Sequence, residues 1–381
     1  MRKKVAIIDS LGAHGSSHHY YLFGQANGLI NAGIDVSIYT NNITKRPHNN
    51  IKFYQFYRNI FLSRWKIVSG FRYILGSIFS IFHAKIKGNQ ICHYHLFHIN
   101  ILTLIDFLIT KMLRMKVVYT IHDVISFDDS RPYFDLDMLI YKAADRIMTH
   151  NNFSRKNFLS LYNHLENTID VIPHGNYIPF LDSNTDKLRS RDFLNISHAK
   201  KVLLFFGIIK KVKGLDVLLE SLKEVVKKHP DILLVIAGRV WRNDFSYYQK
   251  IIDDNNLSKH CLIHNKFIPQ EDVKYYYGAA DLVVLPYKMI YQSGVLMMAL
   301  SYRKLVLASD LEPLSEIISD GKNGFLFETE NRSDLSQKLD NILDNLGSLS
   351  SIRENSFDLL LTKYDWDYIG RLTKSSYQHV L

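Results

Sequence analysis

Short apolar runs alternate with helix-period stretches along almost the whole chain. In the first half the runs are KVAIID (4–9), IDVSIYT (34–40), IKFYQF (51–56), QICHYHLF (90–97), KVVYTIHD (116–123), RIMTH (146–150) and TIDVIPHG (168–175). Parallel strands need long crossovers, so strands separated by helical patterns predict a parallel sheet with helices on its faces. Periodicity then fades over 179–197, where Asp, Ser, Asn, Arg and Lys accumulate, and the stretch 181–198 reads as a linker. The pattern restarts with KVLLFFG (201–207), DILLVIAG (231–238), CLIHNKFI (261–268), DLVVLPY (281–287), KLVLASD (304–310) and GFLF (324–327). The expected fold is α/β, with two doubly wound parallel-sheet domains over 1–180 and 199–360 facing across a cleft.

A chain of 381 residues is too long for one ordinary core and suits two such domains. Hydrophobic residues at 47% and charged residues at 22% are ordinary for a globular protein. Cys92 and Cys261 are the only cysteines, far apart and with no second cysteine near either, which argues against a disulfide framework or a zinc knot and fits a reducing cytoplasm. The first apolar run breaks at Asp9 and reads as a strand, not as a signal peptide.

Charge adds something that composition does not. The net charge is +10, and nine cations (Lys45, Arg46, Lys52, Arg58, Arg64, Lys66, Arg72, Lys85 and Lys87) lie in 36–105, which holds no Asp or Glu. In the same zone Phe61, Trp65, Val68, Phe71, Leu75, Ile78, Phe79 and Phe82 recur at spacings of three and four, one stripe on a helix, with Arg64 and Arg72 in or beside it. Burying unpaired arginines is costly, whereas an anionic lipid surface accepts cations and apolar side chains together. The uncharged stretch 73–84 is shorter than the about 20 residues that span a bilayer, so the expectation is a helix lying on the membrane. The competing readings are a core helix with snorkelling arginines and a single-stranded nucleic-acid surface; no RNA-binding signature accompanies the latter, and no nucleic acid is expected.

In open parallel sheets ligands bind beyond the carboxyl ends of the strands, so the residues after each run carry the candidate chemistry. After the first come Gly12, His14 and Gly15, with Ser16 or Ser17 placed to cap a helix. Later exits offer His95, His98, His122, Asp123, His150 and His174. His93 and His95 would share a strand face, but a metal site with His98 lacks a nearby carboxylate, and histidines lining a polar cleft explain the spacing as well. In the second half Gly207, Lys210, Lys211, Lys213 and Gly214 surround one strand exit, and Gly238 and Arg239 the next. Gln292, Ser293 and Gly294 precede an apolar helix whose first amides, from Gly294, Val295 and Leu296, would face a diphosphate with the positive end of the helix dipole. Gln292 could bond a sugar hydroxyl; an ordinary capped helix is the competing reading of the small residues, and the lysines at the neighbouring strand exits favour the phosphate.

Taken in order, FFGIIKKVKGLDVLLESL, LLVIAGR, FIPQEDVKYYYGAADLVVLPY, SGVLMMALSYRKLVLASDLEPLSEII and DGKNGFLF resemble the donor domain of family 4 glycosyltransferases of the GT-B fold. VVYTIHDV, AADRIMTHN and DVIPHGNY match the first domain, and YDWDYIGRLTKSSYQHVL (364–381) looks like the closing helix, so 361–381 is expected to cross back to the N-terminal domain. The resemblance implies transfer of a sugar from a nucleotide diphosphate donor, with UDP or GDP as the carrier, held by the C-terminal domain, to an acceptor on the N-terminal domain. Lys213 matches the donor-phosphate lysine, Ile208 stands where an arginine is common, and Lys210 can take its place. Ile290 and Met298 occupy both positions of the usual Glu-x7-Glu motif, similar to a variant with a Gln/Ser-Gly loop.

Family membership implies retention of anomeric configuration, and an inverting enzyme would need a base, for which His122 or Asp123 is the candidate. No metal or other cofactor is expected, since no Asp-x-Asp occupies a suitable loop. The nucleobase is expected near Asn265, Lys266 and Phe267, with Arg239 and Gln292 toward the sugar or nucleoside. Gly12, His14, Gly15, His95 and His174 are expected on the acceptor side, and Arg64, Trp65 and Arg72 at the membrane. The combined expectation is a cytoplasmic enzyme at the inner face of the cell membrane, extending a polyprenyl-diphosphate-linked glycan for a cell-surface polysaccharide. A soluble acceptor, an inactive binding subunit of the same fold and a sugar-nucleotide epimerase remain as alternatives.

Overall fold

The computed structural model describes residues 3–15, 17–47, 51–125, 134–182, 186–242 and 244–380. The chain divides into two compact units, Met1–Gly175 with Thr362–Leu381, and Asn176–Leu361.

In the first unit β1 (Lys4–Ile8), β2 (Asp35–Asn41), β3 (Lys52–Tyr57), β4 (Ile91–Leu96), β5 (Lys116–Ile121), β6 (Arg146–Thr149) and β7 (Ile169–Val171) form a parallel sheet in the order β3-β2-β1-β4-β5-β6-β7. Helices α1 (His18–Asn31), α2 (Lys66–Ile86), α3 (Ile101–Met112), α4 (Phe134–Ala143) and α5 (Asn152–Leu161) make the crossovers. The runs read from sequence fall on these strands because a parallel sheet covered on both faces demands near-continuous apolar residues, as in Val5, Ala6, Ile7 and Ile8, all buried.

The second unit repeats the architecture with β8 (Lys201–Phe206), β9 (Ile232–Ala237), β10 (Cys261–His264), β11 (Leu282–Leu285), β12 (Leu305–Ser309) and β13 (Phe325–Phe327), ordered β10-β9-β8-β11-β12-β13 and parallel throughout. Its helices are α6 (Lys187–Phe193), α7 (Leu215–Lys228), α8 (Ser246–Asp254), α9 (Val273–Ala279), α10 (Gly294–Ser301), α11 (Glu312–Ser315), α12 (Arg332–Asp344) and α13 (Ser350–Thr362). Part of the stretch expected as a linker is therefore structured: α6 packs on α9, and the buried Arg191 guanidinium reaches Asp281 Oδ2 at 2.8 Å and the His198 carbonyl at 2.6 Å. A single arginine anchors a helix whose other positions are mostly polar, so no apolar period announces it.

The final helix, α14 (Trp366–Gln378), belongs to the first unit and lies along α1. A Cβ placed on Gly28 would sit 2.0 Å from the Trp366 carbonyl oxygen, and one on Gly370 2.1 Å from that of Gly28, so the two helices cross backbone to backbone.

Helix α2 is built inside out. Its inward positions are small or polar, Gly76, Ser77, Ser80 and Ala84, with Ile81, and they pack on β3 and α3, where the Tyr57 hydroxyl meets Ser77 Oγ at 3.1 Å. Its outward face carries Ile67, Phe71, Phe79, Phe82 and Ile86, and the preceding Trp65 is 75% exposed. Among the described residues it is the one helix long and apolar enough to span a bilayer by length and composition, yet one side of it is closed against the sheet. Arg64 is exposed, and Arg72 donates to the Asn59 carbonyl at 2.9 Å.

Asp106 on α3 ties this helix down by accepting from Tyr73 Oη at 2.5 Å, while its Oδ1 is buried without a partner. Burial, opposed by the Ser77 and Tyr73 hydroxyls, pushes its carboxyl up to about 6. A carboxyl raised above its unfolded value contributes stability below that value and loses it as pH rises through the folded one. Asp106→Asn, which cannot ionise, should match the parent at about pH 3, below the unfolded value, and gain up to about 3 kcal/mol at about pH 7 in denaturant titrations. A difference independent of pH would show that ionisation is not what strains this contact.

Candidate functional site

The strand order of the second sheet reverses between β8 and β11, and there the connections leave toward opposite faces. What closes the opening is a backbone contact. Gly214 adopts φ +66°, and a Cβ there would lie 1.7 Å from the Pro286 carbonyl oxygen, so only glycine lets the β8 exit lie against the β11 exit. The Lys288 N–H donates to the Val212 carbonyl at 2.9 Å across the same seam. Gly238, at φ +148°, approaches the Gly207 carbonyl as closely, bringing in the β9 exit.

The β11 exit delivers α10. Ser293 is extended (φ −129°, ψ 101°), which aims its hydroxyl back to accept from the Leu296 N–H at 3.1 Å. The expectation that Leu296 offers a free amide is thereby corrected: its donor is spent on the cap. Gly294 and Val295 have no protein acceptor for their amides among the described residues, and Val295 lies beside Gly207. Lys213 places its ammonium 3.7 Å from the centroid of the Tyr287 ring, and Lys210 stands 5.0 Å from that of Trp241. Gln292 Oε1 is buried without a hydrogen bond. Arg239 is exposed beyond β9, and Asn265, Lys266 and Phe267 are exposed beyond β10, where Asn265 Oδ1 accepts from the Val240 N–H at 3.1 Å. Ile290 and Met298 are buried, both packed as apolar residues.

In the first sheet the order reverses between β1 and β4, and polar side chains collect at the same end. The turn Gly12–Gly15 follows β1, and the Gly12 N–H donates to Asp9 Oδ1 at 2.6 Å while Asp9 Oδ2 faces His18 Nε2 at 2.9 Å. Ser17 occupies the start of α1 without a side-chain cap, and Ser16 lies outside the described residues. His14 is exposed and stacks on Phe61. His95 Nδ1 meets His122 Nε2 at 3.1 Å, and His122 Nδ1 meets His150 Nε2 at 3.3 Å. Both nitrogens of His122 are thus engaged and the residue is 2% exposed, leaving Asp123 as the accessible member of the pair.

His93 and His95 do share a face, stacked at 5.2 Å, but His98 is exposed and His93 turns to Tyr377 Oη at 2.6 Å. Burial, reinforced by neighbouring imidazoles, holds His95 and His122 well below the ordinary histidine range and brings His150 down to about 4 and His174 to about 3, so these rings are neutral. His18, Asp9, Gln25 and Tyr21, absent from the sequence-based candidates, complete the cluster; two consecutive histidines opening a helix were the only local sign.

Comparison with known proteins places the chain in a family. Residues 186–358 match the family "Glycosyl transferases group 1", and residues 19–176 match "Glycosyltransferase Family 4". The chain is a GT-B glycosyltransferase, resembling family 4. A glycosyltransferase of Methanocaldococcus jannaschii is 25% identical over 281 residues, 70% of each chain. A GDP-mannose:glycolipid 4-beta-D-mannosyltransferase of Xanthomonas campestris is 29% identical over 181 residues, 47% of this chain and 49% of that one. Among solved structures, Anabaena HepE in complex with UDP and glucose superposes with a TM-score of 0.75 at 16% identity, covering 99% of this chain and 100% of that one. Sucrose-phosphate synthase of Thermosynechococcus elongatus gives 0.77 at 15% identity over 100% and 99%. Both family matches make the chain an enzyme that transfers a glycosyl group.

The seam at Gly214 is the mechanical requirement of the glycosyltransferase's second unit. Gly214→Ala should cost more than about 2 kcal/mol in chemical denaturation, since a Cβ there meets backbone. Gly347→Ala, where a Cβ meets nothing within 4 Å, should stay within about 0.5 kcal/mol. Equal losses in the two variants would contradict the contact.

Proposed function

We propose that this glycosyltransferase moves a hexose from a nucleoside diphosphate sugar, held by the unit Asn176–Leu361, to a polyprenyl-diphosphate-linked glycan acceptor, in building a bacterial cell-surface polysaccharide. The observation that carries the donor half is the pair of amides, Gly294 and Val295, that have no acceptor among the described residues, at the positive end of α10, on the strand exit that also holds Tyr287 beneath the Lys213 ammonium. Cleaving the glycosidic bond leaves a nucleoside diphosphate, so the chemistry asks for donors fixed where phosphate charge grows. Gly294 and Val295 supply N–H groups, Lys213 and Lys210 supply cations, and Gly207 leaves room beside Val295. Buried Gln292 Oε1 accepts from a sugar hydroxyl, and the exposed edge at Asn265, Lys266 and Phe267, with Arg239, takes the nucleoside.

The scheme needs no divalent ion. In a retaining reaction a donor phosphate oxygen takes the acceptor proton as the new bond forms; in an inverting one Asp123 takes it, with His122 behind it as a positioning group. The acceptor side is the carboxyl end of the first sheet, with Gly12, His14, Gly15, His95 and His174. A glycolipid acceptor in the name of the Xanthomonas relative, and UDP with glucose bound to Anabaena HepE, support a carrier-linked acceptor and a nucleotide-linked donor.

The lipid half rests on α2. Its outward face of Phe71, Phe79, Phe82 and Ile86, with Trp65 and Arg64 at its start, has the character of a surface that lies in the headgroup layer of anionic lipids at the cytoplasmic face of the membrane. An aromatic residue beside a cation suits that interface.

Thermal shift with UDP, GDP and their sugars tests the donor site, since a ligand of the folded state alone stabilises it by about 2.7 kcal/mol at a hundred times its Kd. Lys213→Ala should raise the Kd of the nucleotide that shifts the parent by about 10- to 100-fold, the worth of one charge-assisted bond. An unchanged Kd would remove Lys213 from the site. For the surface, the triple variant Arg64→Ser, Trp65→Ser, Phe71→Ser should lose sedimentation with phosphatidylglycerol vesicles while keeping the nucleotide shift. Undiminished sedimentation would assign membrane contact elsewhere.

A further inference from the structure

The histidines of the first unit come from three separate elements: His18 opens α1, His95 ends β4 and His122 follows β5. Each can aim a ring nitrogen within 4.8 Å of the others. Their ring centroids form a nearly equilateral triangle, 5.5 Å from His18 to His95, 5.4 Å from His18 to His122 and 5.3 Å from His95 to His122. Three imidazoles bound at about 2.0–2.1 Å to one tetrahedral ion place their centroids about 5.2 Å apart.

Proton accounting points the same way. His150 Nδ1 donates to the Ile172 carbonyl at 3.1 Å, so its Nε2 is bare and receives the proton of His122 Nδ1 at 3.3 Å. That leaves the lone pair of His122 on Nε2. His95 Nε2 donates to Gln25 Oε1 at 3.0 Å, which leaves its lone pair on Nδ1. These two bare nitrogens face each other at 3.1 Å, a repulsive pair unless a cation lies between them. His18 Nε2 donates to Asp9 Oδ2 at 2.9 Å, so Nδ1 is the nitrogen left for an ion, and Asp9 is itself fixed by the Gly12 amide. Every ring therefore directs its protonated nitrogen to an outer acceptor, a carboxylate, an amide oxygen or a further histidine. This is the second shell that orients histidine ligands on a metal.

We infer that His18, His95 and His122 bind a divalent transition-metal ion, zinc by the nature of an all-imidazole set, at the switch point of the first sheet. The ion joins the β1, β4 and β5 exits and the start of α1, and leaves one coordination position for an oxygen ligand. It stands apart from the diphosphate chemistry of the donor, and the inference does not depend on the reading of the substrates. The competing arrangement turns the Gln25 amide about, lets His95 Nδ1 donate to His122 Nε2, and closes the network with no ion.

Cobalt substitution separates the two. The full chain, stripped with chelator, should take up about one Co2+ and show the intense visible bands of a tetrahedral nitrogen site, displaced by Zn2+, which should also raise the melting midpoint relative to EDTA. His95→Ala and His18→Ala, shown folded by circular dichroism, should lose the bands, whereas the surface control His198→Ala should keep them. Gln25→Ala should weaken Zn2+ binding by about 10- to 100-fold, as loss of an outer partner does. Absence of tetrahedral bands in the stripped parent, with equal midpoints in zinc and in EDTA, would overturn the site and establish the ion-free network. That outcome can be read on the parent alone, even where a variant fails to fold.

Discussion

The proposed donor site depends on the contact between Gly214 and the Pro286 carbonyl. At the switch point of a doubly wound sheet the two adjacent connections run to opposite faces and naturally part. Here a glycine in the left-handed region, with the Lys288 to Val212 backbone bond, draws them back together. Lys213 is the residue before that glycine, and the segment after Pro286 carries Tyr287, Ser293 and the first turn of α10. A cation and a helix terminus from distant parts of the sequence thus share one seam, which is the arrangement a diphosphate requires.

The first unit solves a different problem with the same topology. Its α2 buries glycine, serine and alanine and turns phenylalanines outward, the reverse of a soluble amphipathic helix. Close packing of the small face on β3 makes that orientation stable without the large residues inside, which leaves them on the surface. At the carboxyl end of the sheet, buried neutral imidazoles replace the helix amides as the organising chemistry. There α14 crosses α1 at glycines and brings Tyr377 to His93, so the last residues of the chain complete the packing around the first.

Most of the fold was legible, and the reason is physical: thirteen apolar runs mark the thirteen strands of the described residues because strands buried on both faces admit few polar residues. The outward stripe of α2 was equally legible from its spacing. The helix at 187–193 was not, since one buried arginine, paired with Asp281 some ninety positions on, replaces an apolar face. In the proposed donor site the glycines, lysines and the Gln-Ser-Gly stretch stood out, and the capped-helix reading of Ser293 carried with it the loss of the Leu296 amide to the cap, which the extended serine conformation shows. His95, His122, His150 and His174 were legible as residues at successive strand exits; what local spacing could not report is that His18, from the first turn of α1, joins His95 and His122.

The central claim is that a nucleoside diphosphate lies on the first turn of α10. Amide hydrogen exchange with and without saturating donor nucleotide tests it most directly, because it reads the two amides themselves. The account predicts slowed exchange at Gly294 and Val295, with little change at Leu296, whose N–H is already bonded. Protection confined to other strand exits, with Gly294 and Val295 exchanging as before, would contradict it.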